Sequence, residues 1–492
     1  MNGPTARTYR FSDSQRPGLL LGLSGRQAIP IATGVLAMAV VLQTSLPPLV
    51  GIVGPAVGIV IAFGKWRGAS VVDTLIPGTR LATRRTTHRG RWVRPPLVGD
   101  NNDHALPAPL KGLELIEPND GPARGTAFVR DRQAGTLAVA LRIHGYGFPL
   151  ASAAEQDTML TSWAAALSPF ARERSPITAV AWHEWAHPVT STGHSTFLET
   201  IGINTRDLDP AVADYRALID QQAPVTVAHD VLVTITANLR KVRARRSSPS
   251  RLKAAIEVLT DETRLFTSRL EAAGLTVDPP LDGVDLSAAV RVRSDPARGP
   301  QIATLNRSLA AAARRGALEW GPMVVEPEWA HTRVDGSYHR SYRVAGWPQL
   351  PVGSDWMNEL LTSTRAIRTV TVVLEPVPMG RAARAADREV MSREAAADMK
   401  TQKGFRVNAR ERKRLADVEA RERELSEGHA EFQFVGIVNV TAPDLDALDD
   451  ACADVEQAAA QCLLDLRPLD ARHELGWLAT LPLGRALAQR IQ

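Results

Sequence analysis

Between Gln27 and Gly64 the chain carries no charged residue (QAIPIATGVLAMAVVLQTSLPPLVGIVGPAVGIVIAFG). The run is too long for one membrane-crossing helix, which takes roughly 20 apolar residues, and right for two short ones. Pro47 and Pro48 interrupt it near its middle, where a tight turn would fall. The expectation is a two-helix transmembrane hairpin over 27–64, with helices over about 27–45 and 47–64. A cleaved signal peptide fits less well, because the apolar run is too long and basic residues follow it.

Flanking charge sets the expected orientation. Arg7, Arg10, Arg16 and Arg26 precede the run, Lys65, Arg67, Arg80, Arg84, Arg85, Arg89, Arg91 and Arg94 follow it, and the central turn has no Lys or Arg. By the positive-inside rule both termini are expected in the cytoplasm, with the chain in the plasma membrane. Arg80, Arg84, Arg85, Arg89 and Arg91 would then lie on anionic headgroups. A nucleic-acid contact there is the less favoured alternative. The net charge of +5 is small for 492 residues and decides little by itself.

Beyond a polar, Pro-containing linker (97–112) the pattern changes. GTAFVRD (125–131) and TLAVALRIHG (136–145) alternate and are separated by RQAG, which predicts a β-hairpin. Residues 153–173 have helical periodicity, with Ser152 as N-cap, and PITAVAWHEW (176–185) reads as a strand. Residues 210–273 read as mainly helical, interrupted by the basic segment 239–253, which carries no interleaved aromatics for base stacking. IRTVTVVLEPVP (367–378) and EFQFVGIVNVTAP (431–443) read as strands. Between them lies a long Ala-, Arg- and Glu-rich helical segment, 382–427, broken near Gly404. Asp444 is placed to cap a helix over 445–462. The expected fold class is an α+β cytoplasmic region of β-β-α-β type units with a helical insertion, preceded by the transmembrane hairpin. The expected divisions are 1–26, a cytoplasmic N-terminal segment; 27–64, the hairpin; 65–112, a basic juxtamembrane segment and linker; 113–343, a first α+β domain; and 344–492, a second that carries the long charged helix.

One motif suggests chemistry. HEWAH (183–187) matches HExxH, in which two histidines on one helical face hold zinc and the glutamate acts as general base. The context opposes it. ITAVAW leads into His183 as a strand, Pro188 forces the preceding residue out of the helical region, and the following residues have loop composition. Thr190 and Gly193 stand where the extended motif needs Gly and His. No P-loop, GxGxxG, GxSxG or CxxC is present. Cys452 and Cys462, about 15 Å apart along one predicted helix, are too far apart for a disulfide. No catalytic, cofactor-binding or metal-binding residue is therefore assigned, no cofactor is expected, and the chain is expected not to be an enzyme.

Several stretches carry a resemblance. RTYRFSDSQRPGLLLGLSGRQ (7–27) with the following hairpin resembles the N-terminus of actinobacterial two-span membrane proteins from conjugation-like gene clusters, and the plan of the PrgI-like subunit of type IV secretion systems. Residues 125–168, 268–292, 344–363 and 434–485 resemble the non-motor N-terminal half of the TraC/TraE-type ATPases of the same machines. In those ATPases a stretch like LATLPLGR (478–485) lies shortly before the motor domain. The resemblance implies a non-enzymatic, membrane-anchored component of a conjugation-like type IV secretion system. It would dock a separately encoded P-loop ATPase of the TraC type for DNA or protein transfer, and would be oligomeric beside other secretion-system membrane subunits. Residues 382–427 and 80–94 are the expected contact surfaces, with ordinary solvated surface as the alternative for each. The rival readings are a type VII secretion component of the EccE kind and a membrane-tethered zinc metallopeptidase using HEWAH.

Overall fold

The computed structural model describes Tyr9, Phe11 and residues 25–44, 48–66, 69–87, 90–94, 110–145, 147–189, 198, 202, 210–222, 226–242, 250–302, 321–402 and 409–485. Most of the expected linker, the core of the basic segment (243–249), Arg89, Pro47 and the break near Gly404 lie outside these residues.

The charge-free run forms two packed helices, Gly25–Val41 and Pro48–Phe63. They approach so closely that a Cβ at Gly34 would collide with the Gly54 carbonyl. The expected transmembrane hairpin does not hold. The helices have 17 and 16 residues and each contains a proline, Pro30 or Pro55. At 1.5 Å per residue they span about 25 Å, short of the roughly 30 Å of a hydrocarbon core. Among the described residues no helix is long and apolar enough to cross a membrane. The expected plasma-membrane location, the two spans with both termini cytoplasmic and the multi-pass description are corrected with it. The outward sides of the pair carry exposed Leu36, Val40, Ile52, Val60 and Phe63. The next helix, Val71–Thr86, joins the pair to the body of the molecule, where its Arg84 meets Glu474 at 2.9 Å.

Instead of a membrane hairpin with α+β units, the fold is a mixed α/β structure around one large antiparallel sheet. A short ladder, β1 (Lys65–Trp66) with β2 (Ala69–Ser70), stands apart. The other strands are β3 (Trp92–Val93), β4 (Leu113–Ile116), β5 (Phe128–Asp131), β6 (Thr136–His144), β7 (Ile177–Pro188), β8 (Val227–Asn238) and β9 (Thr276–Val277). They continue with β10 (Val324–Pro327), β11 (Thr332–Val334), β12 (Ser337–Gly346), β13 (Ile367–Val377), β14 (Glu431–Ala442) and β15 (Asp465–Pro468). Their order is β3-β10-β11-β12-β14-β13-β7-β8-β6-β5-β4, with β15 beside β12 and β9 beside β6. β13 pairs with β7, so strands from 113–343 and from 344–492 belong to one continuous sheet.

Both faces of the sheet are covered, which is why strands such as TLAVALRI read as nearly unbroken apolar runs. Side chains alternate along each strand. Leu137, Val139, Leu141, Val233 and Ile235 point to a core with the helix Arg251–Ala272. On the same face Val438 and Val440 meet the helix Leu445–Gln461. Ala140, Leu232 and Ile437 point the opposite way, to a core with the helices Gly283–Ser294 and His473–Ala479 and with Leu481 and Leu483.

Helix starts are set by side-chain caps. Ser152 and Glu155 form a reciprocal capping box, and Asp282 and Asp444 accept from main-chain N–H groups of the first turns. The expectation of a mainly helical 210–273 fails at its centre. VAHDVLVTITAN is β8, inserted between β7 and β6, because its β-branched alternation supplies both cores at once. The long charged segment folds as two contacting helices, Met379–Gln402 and Ala409–Ser426, inserted between neighbouring strands β13 and β14.

Candidate functional site

HEWAH lies within β7, not on a helix. His183 and His187 share a face of the strand, but four residues of extended chain put their backbones about 13 Å apart. One metal ion cannot bind both. Glu184 points to the opposite face. His183 is buried, with Nδ1 2.9 Å from the Thr371 hydroxyl and Nε2 3.3 Å from that of Thr234. Burial, aided by the charge of Arg293, pushes its pKa down to about 3. His187 stacks on Trp185 at 3.9 Å, and its Nδ1 lies 3.0 Å from the Pro188 carbonyl oxygen. Glu184 pairs with His229 at 2.5 Å. The hollow beside His183, also lined by Glu375 and Arg485, has room for little more than a water molecule, about 20 Å³. Among the described residues no group of three metal-ligating side chains comes together. Metal analysis of the purified chain is expected to give zinc well below one equivalent. One tightly bound zinc per chain would overturn the strand geometry.

The same strand end holds a charge cluster that motif reading missed. Asp230 on β8 accepts from Arg142 Nε and from Arg293 Nη2, each at 2.8 Å. The Arg293 guanidinium lies over the Trp185 ring, 5.0 Å from its centre, with only 2% of its side chain exposed. Burial works against a charged Asp230, yet Arg293 and Arg142 outweigh it and hold its pKa below the ordinary carboxylate value. Every group in this trio is occupied by another, so the arrangement braces the helix Gly283–Ser294 against the sheet. A signal was available only in part: VRVRSD places charged side chains on a helix that must pack, but its partner lies far away in sequence.

The arginines expected on headgroups contact the chain itself. Arg84 pairs with Glu474, Arg85 with Glu328, and Arg91 with Glu326 at 2.5 Å. Arg80 is exposed on the helix Val71–Thr86.

A further exposed element is the helical arm between β13 and β14. Its base is fixed by Arg421, which donates to Glu431 at 2.7 Å and to Glu389 at 3.0 Å. The Gly380 amide donates to Glu173 at 3.2 Å. Along the arm Met391 and Met399 are 69% and 58% exposed, about two turns apart, among Arg and Glu side chains. Flexible, polarizable methionines on a charged helix suit contact with another protein better than chemistry. No family model and no curated protein matches the chain.

Proposed function

We propose that the chain is a non-enzymatic docking component of a conjugation-like secretion apparatus. It binds a separately encoded P-loop ATPase of the TraC type through the arm Met379–Gln402 and Ala409–Ser426. The observation that carries this reading is the arm itself: a helical pair set between two central strands, braced at its base and bearing exposed methionines. A rigid sheet gives such an arm a fixed direction, which a coupling element between a motor and a transport apparatus needs. The resemblance of 125–168, 268–292, 344–363 and 434–485 to the non-motor half of these ATPases supplies the partner class.

The test is a pull-down of the tagged full-length chain from its native host, with mass spectrometry of what accompanies it. Co-purification of a P-loop ATPase with TraC-like motor features is expected. Its recovery should fall at least tenfold with Met391→Asp and Met399→Asp together, both exposed positions that leave the sheet untouched. Recovery of type VII components instead, or of no ATPase after mild crosslinking, would sink the proposal.

A further inference from the structure

Tyr9 and Phe11 precede the apolar helices in sequence but dock on the sheet body. The Tyr9 N–H donates to the Val352 carbonyl at 2.9 Å, and the Val352 N–H donates back at 3.0 Å, which makes a two-way antiparallel bridge. The Tyr9 hydroxyl donates to Asp157 at 2.8 Å. Phe11 enters a nest of three rings. It stacks on Trp347 at 5.3 Å and meets Trp356 and Phe434 edge-on at 5.0 and 6.0 Å.

The nest is held together by contacts that do not involve Phe11. Trp347 meets Phe434 edge-on at 4.9 Å and Trp356 at 6.1 Å. Gly436, two residues beyond Phe434 on β14, leaves the space in which Trp347 lies: a Cβ there would stand 2.9 Å from the indole and 2.6 Å from Val344. The loop carrying Val352 is tied to the helix Ala153–Leu167 where the Ser354 hydroxyl donates to Gln156 at 2.6 Å. A groove assembled by its own walls keeps its shape when its occupant leaves. Main-chain pairing to an exposed segment, with pockets for alternate side chains, is a recurring way of reading an extended peptide.

We propose that Trp347, Trp356, Phe434 and the Val352 main chain form a peptide-docking groove for an extended segment with aromatic residues two apart, and that Tyr9 and Phe11 are its reversibly docked internal anchors. The groove selects an aromatic ring at the Phe11 position by three-sided ring contact. At the Tyr9 position it selects a phenol by the Asp157 carboxylate. Release of the segment would uncover both tryptophans.

The proposal is tested with the full-length chain carrying Tyr9→Ser and Phe11→Ser, whose groove is then vacant. A fluorescein-labelled peptide of residues 5–14, TARTYRFSDS, is titrated by anisotropy. Saturable binding to the variant is expected, and binding at least tenfold weaker to the unaltered chain, whose tethered segment competes at high effective concentration. A peptide with serine at the Phe11 position should not bind, and Trp347→Ala added to the variant should abolish binding. Absence of binding to a variant that melts cooperatively would overturn the groove. Equal binding to both chains would overturn the internal ligand, and unchanged binding of the serine peptide would overturn the ring recognition.

Discussion

Asp230→Ala is expected to lower the stability of the chain by about 3–5 kcal/mol, the usual consequence of leaving a buried charge without its partner. The stranded group is Arg293. Its side chain is 2% exposed, and it also meets the Ala289 carbonyl, at 3.4 Å, and the Trp185 ring. Neither neutralises it, and the charge of Glu184 attracts it less than that of Asp230. Arg142, 31% exposed, can turn toward water and contributes little to the loss. Removing both charges is a different matter. Asp230→Ala with Arg293→Met takes away the stranded guanidinium along with its partner and should recover a large part of the loss. Urea melts of the two variants decide it. If the double variant is no more stable than Asp230→Ala, the cost comes from lost packing and not from an unpaired charge.

This trio illustrates what the sequence could and could not carry. Local signals were readable. Ser152 and Asp444 cap the helices that follow them, and Pro188 with the ITAVAW alternation puts HEWAH on a strand. Each of these is decided within a few residues. The pairing of β7 with β13 brings Thr371 onto His183 across nearly 190 positions, and no local period encodes that register. The same holds for Phe11, Trp347, Trp356 and Phe434, which share no repeat and meet only because the sheet gathers them. The helices on either side of β8, Pro210–Gln222 and Arg251–Ala272, give the region a helical average that hides the strand between them. The charge-free run was legible as two helices with a turn. The first helix ends at Val41 and not near 45, and with 17 and 16 residues and a proline in each, neither helix reaches membrane-spanning length.

Acid should unfold the chain earlier than its carboxylates alone would require, because three buried histidines lie where the sheet meets the helix His473–Ala479. His183 is held at a pKa of about 3 by burial and by Arg293, and His339 at about 4 by burial. The contact of His339 Nε2 with the Ser294 carbonyl, at 2.8 Å, opposes the shift without reversing it. His473 is also lowered by burial, against the pull of Asp470. Each folded value lies below the ordinary 6.5, so the unfolded chain binds more protons. Stability is therefore present above about pH 6.5 and falls as pH drops toward the folded values. At pH 4, His183 and His339 would each have cost about 3 kcal/mol. Burial raises the pKa of Glu474 and Glu375, which acts in the opposite direction between their raised folded values and the ordinary carboxylate value. A substitution that removes one imidazole therefore isolates the histidine contribution between pH 7 and pH 5. Urea midpoints across that range are expected to fall steadily, and His339→Asn, which removes a titrating ring but keeps a polar side chain, should flatten the slope. A profile unchanged from pH 7 to pH 5 would mean that these imidazoles reach solvent, and that the helix His473–Ala479 does not seal this face of the sheet.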